Sequence, residues 1–249
     1  MLILLPPSET KRAGGDETRT LDFAALSFPE LTKPRRVAVD AVRRLSRNLG
    51  AATIALKVGG TLAGEVARNR VILTSPVMPA IDRYDGVLYE GLDAATLTAD
   101  QRAFAGEHVA IASAAFGLTM ALDPIPAYRL SHDSRLPGVA LGRHWRAPLS
   151  AVLSGTEGLL LDLRSEAYAG LGPSPARENA VFVRVVSEDA SGRRRALNHF
   201  NKKGKGEFTR RLIEAGVDHP DVDALLEWAA TAGIRLERGA PGELDLVVS

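Results

Sequence analysis

The chain has 249 residues, enough for one large domain or two small ones, and is 45% hydrophobic and 24% charged, as an ordinary globular protein is. Its formal net charge is +1, so any anion-binding surface must come from local segregation of charge rather than from a polybasic whole. It has no cysteine, which removes disulfides, thiolate metal sites and cysteine nucleophiles together.

Residues 2–5 are a continuous apolar run and read as a short buried strand, ended by Pro6 and Pro7. The run is too short and lacks the basic flank of a signal peptide. No segment reaches the roughly 18 apolar residues of a membrane span, so a cytoplasmic protein without a membrane partner is expected. Residues 6–22 read as an exposed loop. A helix is expected over residues 33–48, apolar on one face and arginine-rich on the other, with Gly50 closing it. Residues 61–69 suggest another helix, and residues 71–73 a strand. A further helix is expected from Pro79, then Val87-Leu88-Tyr89 and a turn at Glu90-Gly91. Residues 92–106 read as helix, with a capping box in Thr98-Ala99-Asp100-Gln101. Residues 109–113 suggest a buried strand, 118–130 a loop stiffened by Pro124 and Pro126, 145–153 a helix and 159–163 a strand. Residues 181–186 and 194–200 suggest a hairpin about 187–192. Two helices, 207–214 and 222–232, are joined by residues 215–220, and a last strand covers 244–248. Helices and strands interleave without a linker or repeat. The pattern predicts one mixed α/β domain over residues 1–249, with a mixed central sheet flanked by helices.

Charge is concentrated near the C-terminal end. Eight basic residues (Arg193, Arg194, Arg195, Lys202, Lys203, Lys205, Arg210 and Arg211) face a single acid, Glu207, within 19 residues, which makes a local +7. Gly204 and Gly206 among the lysines would let backbone amides approach an anion before the chain enters a helix. Lysines act as point charges and suit phosphate better than base edges. The alternative is a solvated edge, since the same residue types protect exposed strands. The sequence Leu212-Ile213-Glu214-Ala215-Gly216-Val217 has the apolar-Gly-apolar pattern of a helix-hairpin-helix module, although Asp218 would repel phosphate there. A plain helical hairpin fits equally.

Several separated stretches resemble one family. Pro6-Pro7-Ser8-Glu9-Thr10-Lys11 is similar to its Pro-Pro-Ser-Glu-Gly-Lys opening, and Tyr84-Asp85-Gly86-Val87-Leu88-Tyr89-Glu90-Gly91-Leu92 to its Gly-x-x-Tyr-x-Gly-Leu stretch. Ser113 to Leu130, with Phe116-Gly117, Asp123-Pro124-Ile125 and Tyr128-Arg129-Leu130, resembles its Ser-x-x-Tyr-Gly … Asp-x-Ile-x-x-Tyr-Arg-Leu signature. Leu163-Arg164-Ser165-Glu166-Ala167-Tyr168 resembles Leu-Ala-Ser-x-Glu-Tyr, and Lys202-Lys203-Gly204-Lys205-Gly206 resembles Lys-x-Ala-Arg-Gly. The order and spacing are those of the YaaA family of peroxide-stress proteins. Gly204 and Lys205 depart from its Ala-Arg, Phe116 from its tyrosine, Ala167 from its carboxylate and Thr10 from its glycine. The resemblance implies a single mixed α/β domain around a positively lined cleft. It also implies DNA binding and a role in limiting peroxide damage by lowering free intracellular iron.

Three loops carry the candidate chemistry. Ser8, Glu9 and Lys11 follow the first strand, where open α/β sheets put ligands: Lys11 for phosphate, Glu9 as a base or to hold an ordered cation. In the second, Asp123, Tyr128 and Arg129 lie in a proline-fixed loop. Arg129 would clamp phosphate and Tyr128 would stack on a base or donate its hydroxyl; alternatively, Asp123 and Arg129 form a structural ion pair. Ser165, Glu166 and Tyr168 follow the strand at 159–163 in the same manner. The five histidines (His108, His132, His144, His199, His219) lack metal-ligand spacing, and no metal or cofactor is expected. The serine-hydrolase elbow and the phosphate-binding Walker loop are absent; Val58-Gly59-Gly60-Thr61 lacks the lysine. Two functions follow. One is a stress protein, expected to be monomeric, holding the DNA backbone through Lys11, Arg129, Lys202, Lys203, Lys205, Arg210 and Arg211. The alternative is an enzyme acting on a nucleotide, nucleoside or nucleobase, with Glu9, Asp123, Ser165, Glu166 and Tyr168 as candidates for catalysis.

Overall fold

The computed structural model describes residues 1–59, 63–188, 194–196 and 200–248. The four apolar residues Leu2–Leu5 form β1, buried along its whole length as a central parallel strand must be. Then come β2 (Thr10–Lys11), α1 (Thr32–Leu45), α2 (Leu49–Ala55) and α3 (Ala63–Arg70). The short elements β3 (Val77–Pro79), α4 (Ala80–Arg83), β4 (Tyr84–Asp85) and α5 (Val87–Leu92) follow. Next are α6 (Ala99–His108), β5 (Val109–Ser113), β6 (Gly117–Met120), β7 (Pro124–Pro126), α7 (Leu141–Ser154), β8 (Leu160–Asp162) and α8 (Glu166–Ala169). The chain continues through β9 (Ala180–Glu188), β10 (Arg194–Ala196), α9 (Phe200–Ala215), α10 (Val222–Thr231), β11 (Leu236–Arg238) and β12 (Glu243–Val248).

The main sheet runs β11-β12-β9-β8-β1-β5-β6, and β10 pairs with β9 beyond the end of β8. β12, β9, β8, β1 and β5 are all parallel, while β6, β10 and β11 are antiparallel to their neighbours. This mixed sheet among helices is the predicted fold class. One contiguous core links both sides of it. α9 packs on α5, α6 and β9, whereas α1 packs on α3 and α7.

The order of the strands locates the point where a crevice is expected. From β1 the chain goes on to β5 on one side; from β8 it goes on to β9 on the other. The carboxyl ends of β1 and β8 therefore lie where the winding reverses, the point at which open α/β sheets leave room for a ligand.

Local chemistry explains the helices that the pattern identified and those it missed. The Thr98 hydroxyl accepts from the Gln101 amide while the Gln101 side chain accepts from the Thr98 amide, so the capping box starts α6. Asn48 caps α2, so Gly50 lies inside that helix and does not close α1. The expected turn at Glu90-Gly91 is helical, and the lysine–glycine stretch 202–206 lies inside α9 rather than in a loop. The reason is close packing. A Cβ on Gly206 would sit 2.0 Å from the Leu88 carbonyl oxygen, and one on Gly91 would sit 2.9 Å from that of Lys203. These glycines let α5 and α9 touch backbone to backbone. β9 and β10 pair as an antiparallel hairpin through 186–188 and 194–196, so residues 187 and 188 are strand rather than turn and Phe200 begins α9 rather than ending a strand. Residues 189–193, with Arg193, and 197–199, with His199, lie outside the described residues.

Candidate functional site

The polar cluster at this switch point is built on Lys11. Two residues of β2 pair with β4, placing Lys11 opposite Tyr84. The Lys11 side chain then turns inward and is 3% exposed. Its ammonium donates to the carbonyl oxygens of Ser8 at 2.8 Å and Glu9 at 3.2 Å. It also lies 4.3 Å from the centroid of the Tyr128 ring. Two carbonyls and a ring face solvate the cation incompletely, and burial pushes its pKa down to about 7 against the upward pull of Glu9. Lys11 can therefore hold or release a proton near neutrality.

Behind it stands a set of buried hydroxyls. Ser113, the last residue of β5, accepts the amides of Ala115 at 3.1 Å and Phe116 at 3.0 Å. Its hydroxyl lies 2.7 Å from that of Tyr128, which lies 2.8 Å from that of Tyr84. Burial pushes Tyr84 up to about 12 and Tyr128 well above the usual phenol range, so both stay protonated donors at neutral pH. Tyr89 stacks on Tyr84 and donates to the Pro6 carbonyl, tying the loop after β1 to the same cluster.

A charged rim covers the hydroxyls. Arg129 meets Glu9 at 3.1 Å and Glu65 at 3.2 Å, and Arg68 meets Glu65 at 3.5 Å and the Lys11 carbonyl at 3.0 Å. The Asn69 side chain fixes the Arg129 backbone by donating to its carbonyl and accepting from its amide, each at 2.8 Å. Two carboxylates thus balance two guanidinium groups, leaving Lys11 to set the net charge. Glu9 is the outermost member, its side chain 48% exposed against 13% for Arg129. The Arg129 Nε is buried without a partner among the described residues. Tyr168 is buried near Glu9, with its ring 5.2 Å from that of His132, and burial holds its hydroxyl protonated.

A second cluster lies at the carboxyl end of β8. Asp162 accepts from Arg164 at 2.9 and 2.7 Å and from Ser174 at 2.9 Å. Lys205, on α9, donates to the Arg164 carbonyl at 3.2 Å and lies 5.1 Å from the Phe182 ring centroid. Burial lowers its pKa to about 8, opposed by Asp162. Ser165 caps α8, and exposed Glu166 pairs with Arg184 at 2.9 Å.

The structure thus brings Ser8, Glu9, Lys11, Tyr128, Arg129 and Tyr168 together. It places Lys205, Ser165 and Glu166 at the neighbouring strand end. Asp123 lies apart: its carboxylate accepts from Ser27 and the Met120 amide, so it makes no ion pair with Arg129. Tyr128 is fully buried under Lys11, which leaves its hydroxyl role and excludes stacking on a base. Lys205 is likewise buried and makes no surface contact. Arg210 is engaged by Glu214 and the Leu92 and Asp93 carbonyls, and Arg211 by the Ala232 carbonyl. Lys203 is exposed beside Glu207, and Lys202 is exposed without an ion-pair partner among the described residues.

The Gly216 turn lies at the opposite end of the sheet. Asp218 there pairs with the Met1 ammonium at the start of β1, and His108 donates to the Met1 carbonyl. β1 therefore separates this turn from the crevice. A cavity of about 350 Å³ lies elsewhere, beside α9, lined by Gly204, Phe208, Arg211, Ile234 and Leu246, and shares none of the Lys11 cluster.

Tyr84, Ser113, Glu65, Arg68 and Asn69 are the members that sequence reasoning did not assign to the site. Tyr84 and Ser113 stand in the stretches that carry the family likeness, which was the available signal. Glu65, Arg68 and Asn69 carried none.

Fold and crevice together define a mixed α/β protein with a buried, titratable polar cluster at the switch point of its sheet. Residues 1–236 match the family model described as peroxide stress protein YaaA, and the chain belongs to that family. It is 41% identical over 242 residues to a UPF0246 protein of Corynebacterium glutamicum, covering 95% of each chain. It is 40% identical over 255 residues to one of Corynebacterium efficiens, with both chains fully covered. A UPF0246 protein of Streptomyces coelicolor is 38% identical over 247 residues, covering 98% of this chain and 94% of the relative.

Proposed function

We propose that this member of the peroxide-stress family is a cytoplasmic enzyme acting on a nucleotide, nucleoside or nucleobase in the switch-point crevice, with Lys11 as its proton carrier. The observation that carries the reading is a lysine buried between two carbonyls and a tyrosine ring, its pKa brought to about 7, beside hydroxyls kept protonated by burial. A proton carrier works best when its pKa lies near the working pH. Glu9 and Arg129 at the rim give one exposed carboxylate and one guanidinium suited to a phosphate or ribose. A panel of nucleotides, nucleosides and nucleobases, followed by thermal shift and by turnover, tests this. Turnover lost in Lys11→Met supports it; a panel with neither stabilisation nor turnover removes it.

A second reading has one observation of its own. Lys202 and Lys203 are exposed at the start of α9, and the turn at residues 216–221 joins α9 to α10 as a helix-hairpin-helix clamp would. On this reading the protein holds the DNA backbone there and limits peroxide damage by lowering free iron. Each phosphate neutralised then lowers log K by about 0.9 per tenfold rise in salt. Lys202→Ala/Lys203→Ala would flatten that slope, and an unchanged slope would count against it.

A further inference from the structure

Ser113, Tyr128 and Tyr84 contribute three hydroxyl protons, but only two hydroxyl–hydroxyl links join them. The two backbone amides fix the direction of the chain. They occupy both lone pairs of the Ser113 oxygen, so that hydroxyl can only donate onward, to Tyr128. Tyr128 then donates to Tyr84, and the Tyr84 proton is left over. Besides Tyr128, the hydroxyl beside it among the described residues is that of Ser113, whose oxygen already accepts two amides, so the proton has no free acceptor although the Tyr84 side chain is fully buried. A buried donor left unpaired is costly, because it has given up water without gaining a partner. Each link also polarises the next, making the terminal hydroxyl a stronger donor than an isolated phenol.

The surroundings say what would pair with it. The Lys11 ammonium stands across the β2–β4 ladder from Tyr84, and the partnerless Arg129 Nε lies in the rim above. With Lys11 protonated every one of these groups donates, so the missing partner is an acceptor bearing partial or full negative charge. We propose that the crevice receives an oxo group, or the oxyanion it becomes during reaction, on the Tyr84 hydroxyl that ends the Ser113–Tyr128–Tyr84 chain. This rests on the crevice being the catalytic site and names the substrate feature that Tyr84 recognises: a planar carbonyl or enolate oxygen, with any phosphate left to Arg129 at the rim. Entry requires Glu9 to swing away from Arg129, since Glu9 is the exposed member of the rim.

The test uses para-nitrophenol, whose yellow anion mimics a planar oxyanion and reports its own ionisation. The expected result is that the protein binds the anion in preference to the neutral phenol, lowering the pH at which the bound probe turns yellow. Tyr84→Phe should weaken anion binding at least about tenfold, the value of one hydrogen bond to a charged acceptor. Ser113→Ala, which removes the anchored start of the chain, should cause a smaller loss. Ser150→Ala, on α7, whose hydroxyl donates to the Pro173 carbonyl away from the cluster, should change nothing. No binding by the wild type, or equal anion binding by Tyr84→Phe, overturns the proposal. Turnover with the nucleotide panel would still stand or fall separately.

Discussion

Replacing Lys11 by methionine keeps the apolar stem of the side chain and removes its charge. In the folded protein the pKa falls from 10.5 to about 7, chiefly through burial. At about 1.4 kcal/mol per tenfold change in proton affinity, that is a cost of about 5 kcal/mol to keep the ammonium in place. Below pH 7 both folded and unfolded chains carry the proton, so the cost is present in full. Between pH 7 and 10.5 the folded chain has lost its proton and the unfolded chain has not, and stability rises by about 1.4 kcal/mol per pH unit. Lys205, lowered to about 8 in the same way, adds a slope of the same sign at higher pH. The difference between wild type and Lys11→Met isolates Lys11. The variant loses the bonds to the Ser8 and Glu9 carbonyls at every pH but escapes the charge cost only at low pH. Urea unfolding from about pH 6 to about pH 9.5 should show wild type gaining about 3.5 kcal/mol on the variant. Parallel stability curves would refute the reasoning.

Three further outcomes follow from the same contacts. Glu9 raises the pKa of Lys11, so Glu9→Gln should lower it further and move the acidic limb of any pH–rate profile to lower pH; a profile that stays in place contradicts the coupling. Gly206→Ala would drive a Cβ into the Leu88 carbonyl, and thermal unfolding should show a loss of about 3 kcal/mol or more, whereas exposed Gly138→Ala should lose less. Asp162→Asn leaves the Arg164 guanidinium buried without its carboxylate and should cost about 3–5 kcal/mol in denaturant unfolding.

Much of the architecture could be read from local signals. The apolar runs at β1, β5 and β8 and the Thr98 capping box each have a local cause, and the loops after β1 and β8 follow from strand ends. The site was half legible: Ser8, Glu9, Lys11, Tyr128 and Arg129 were picked as polar groups in ligand loops, and they do converge. What failed was the meaning given to glycine beside lysine. In the sequence Gly204 and Gly206 look like an anion-binding loop; in the fold they are helix residues that allow α9 to press against its neighbours. Close approach of two helices is a tertiary fact, and no periodicity announces it. Burial has the same property. Lys205 and Tyr128 look like surface contacts in a charge run and a proline loop, yet one supports the Arg164 carbonyl and the other lies under Lys11. Arg35 and Arg83 were unremarked, and both are buried with their guanidinium groups bound to backbone carbonyls of loops and strands.

The central claim is that ligand binds at the Lys11 crevice and not along α9. Amide and side-chain NMR shifts recorded while the stabilising nucleotides or nucleosides are titrated in would test it most directly. The account predicts that shifts concentrate on Glu9, Lys11, Tyr84, Ser113 and Arg129 and leave Lys202, Lys203 and the Gly216 turn in place. A map centred on α9 or the Gly216 turn, with the crevice signals unmoved, would contradict it.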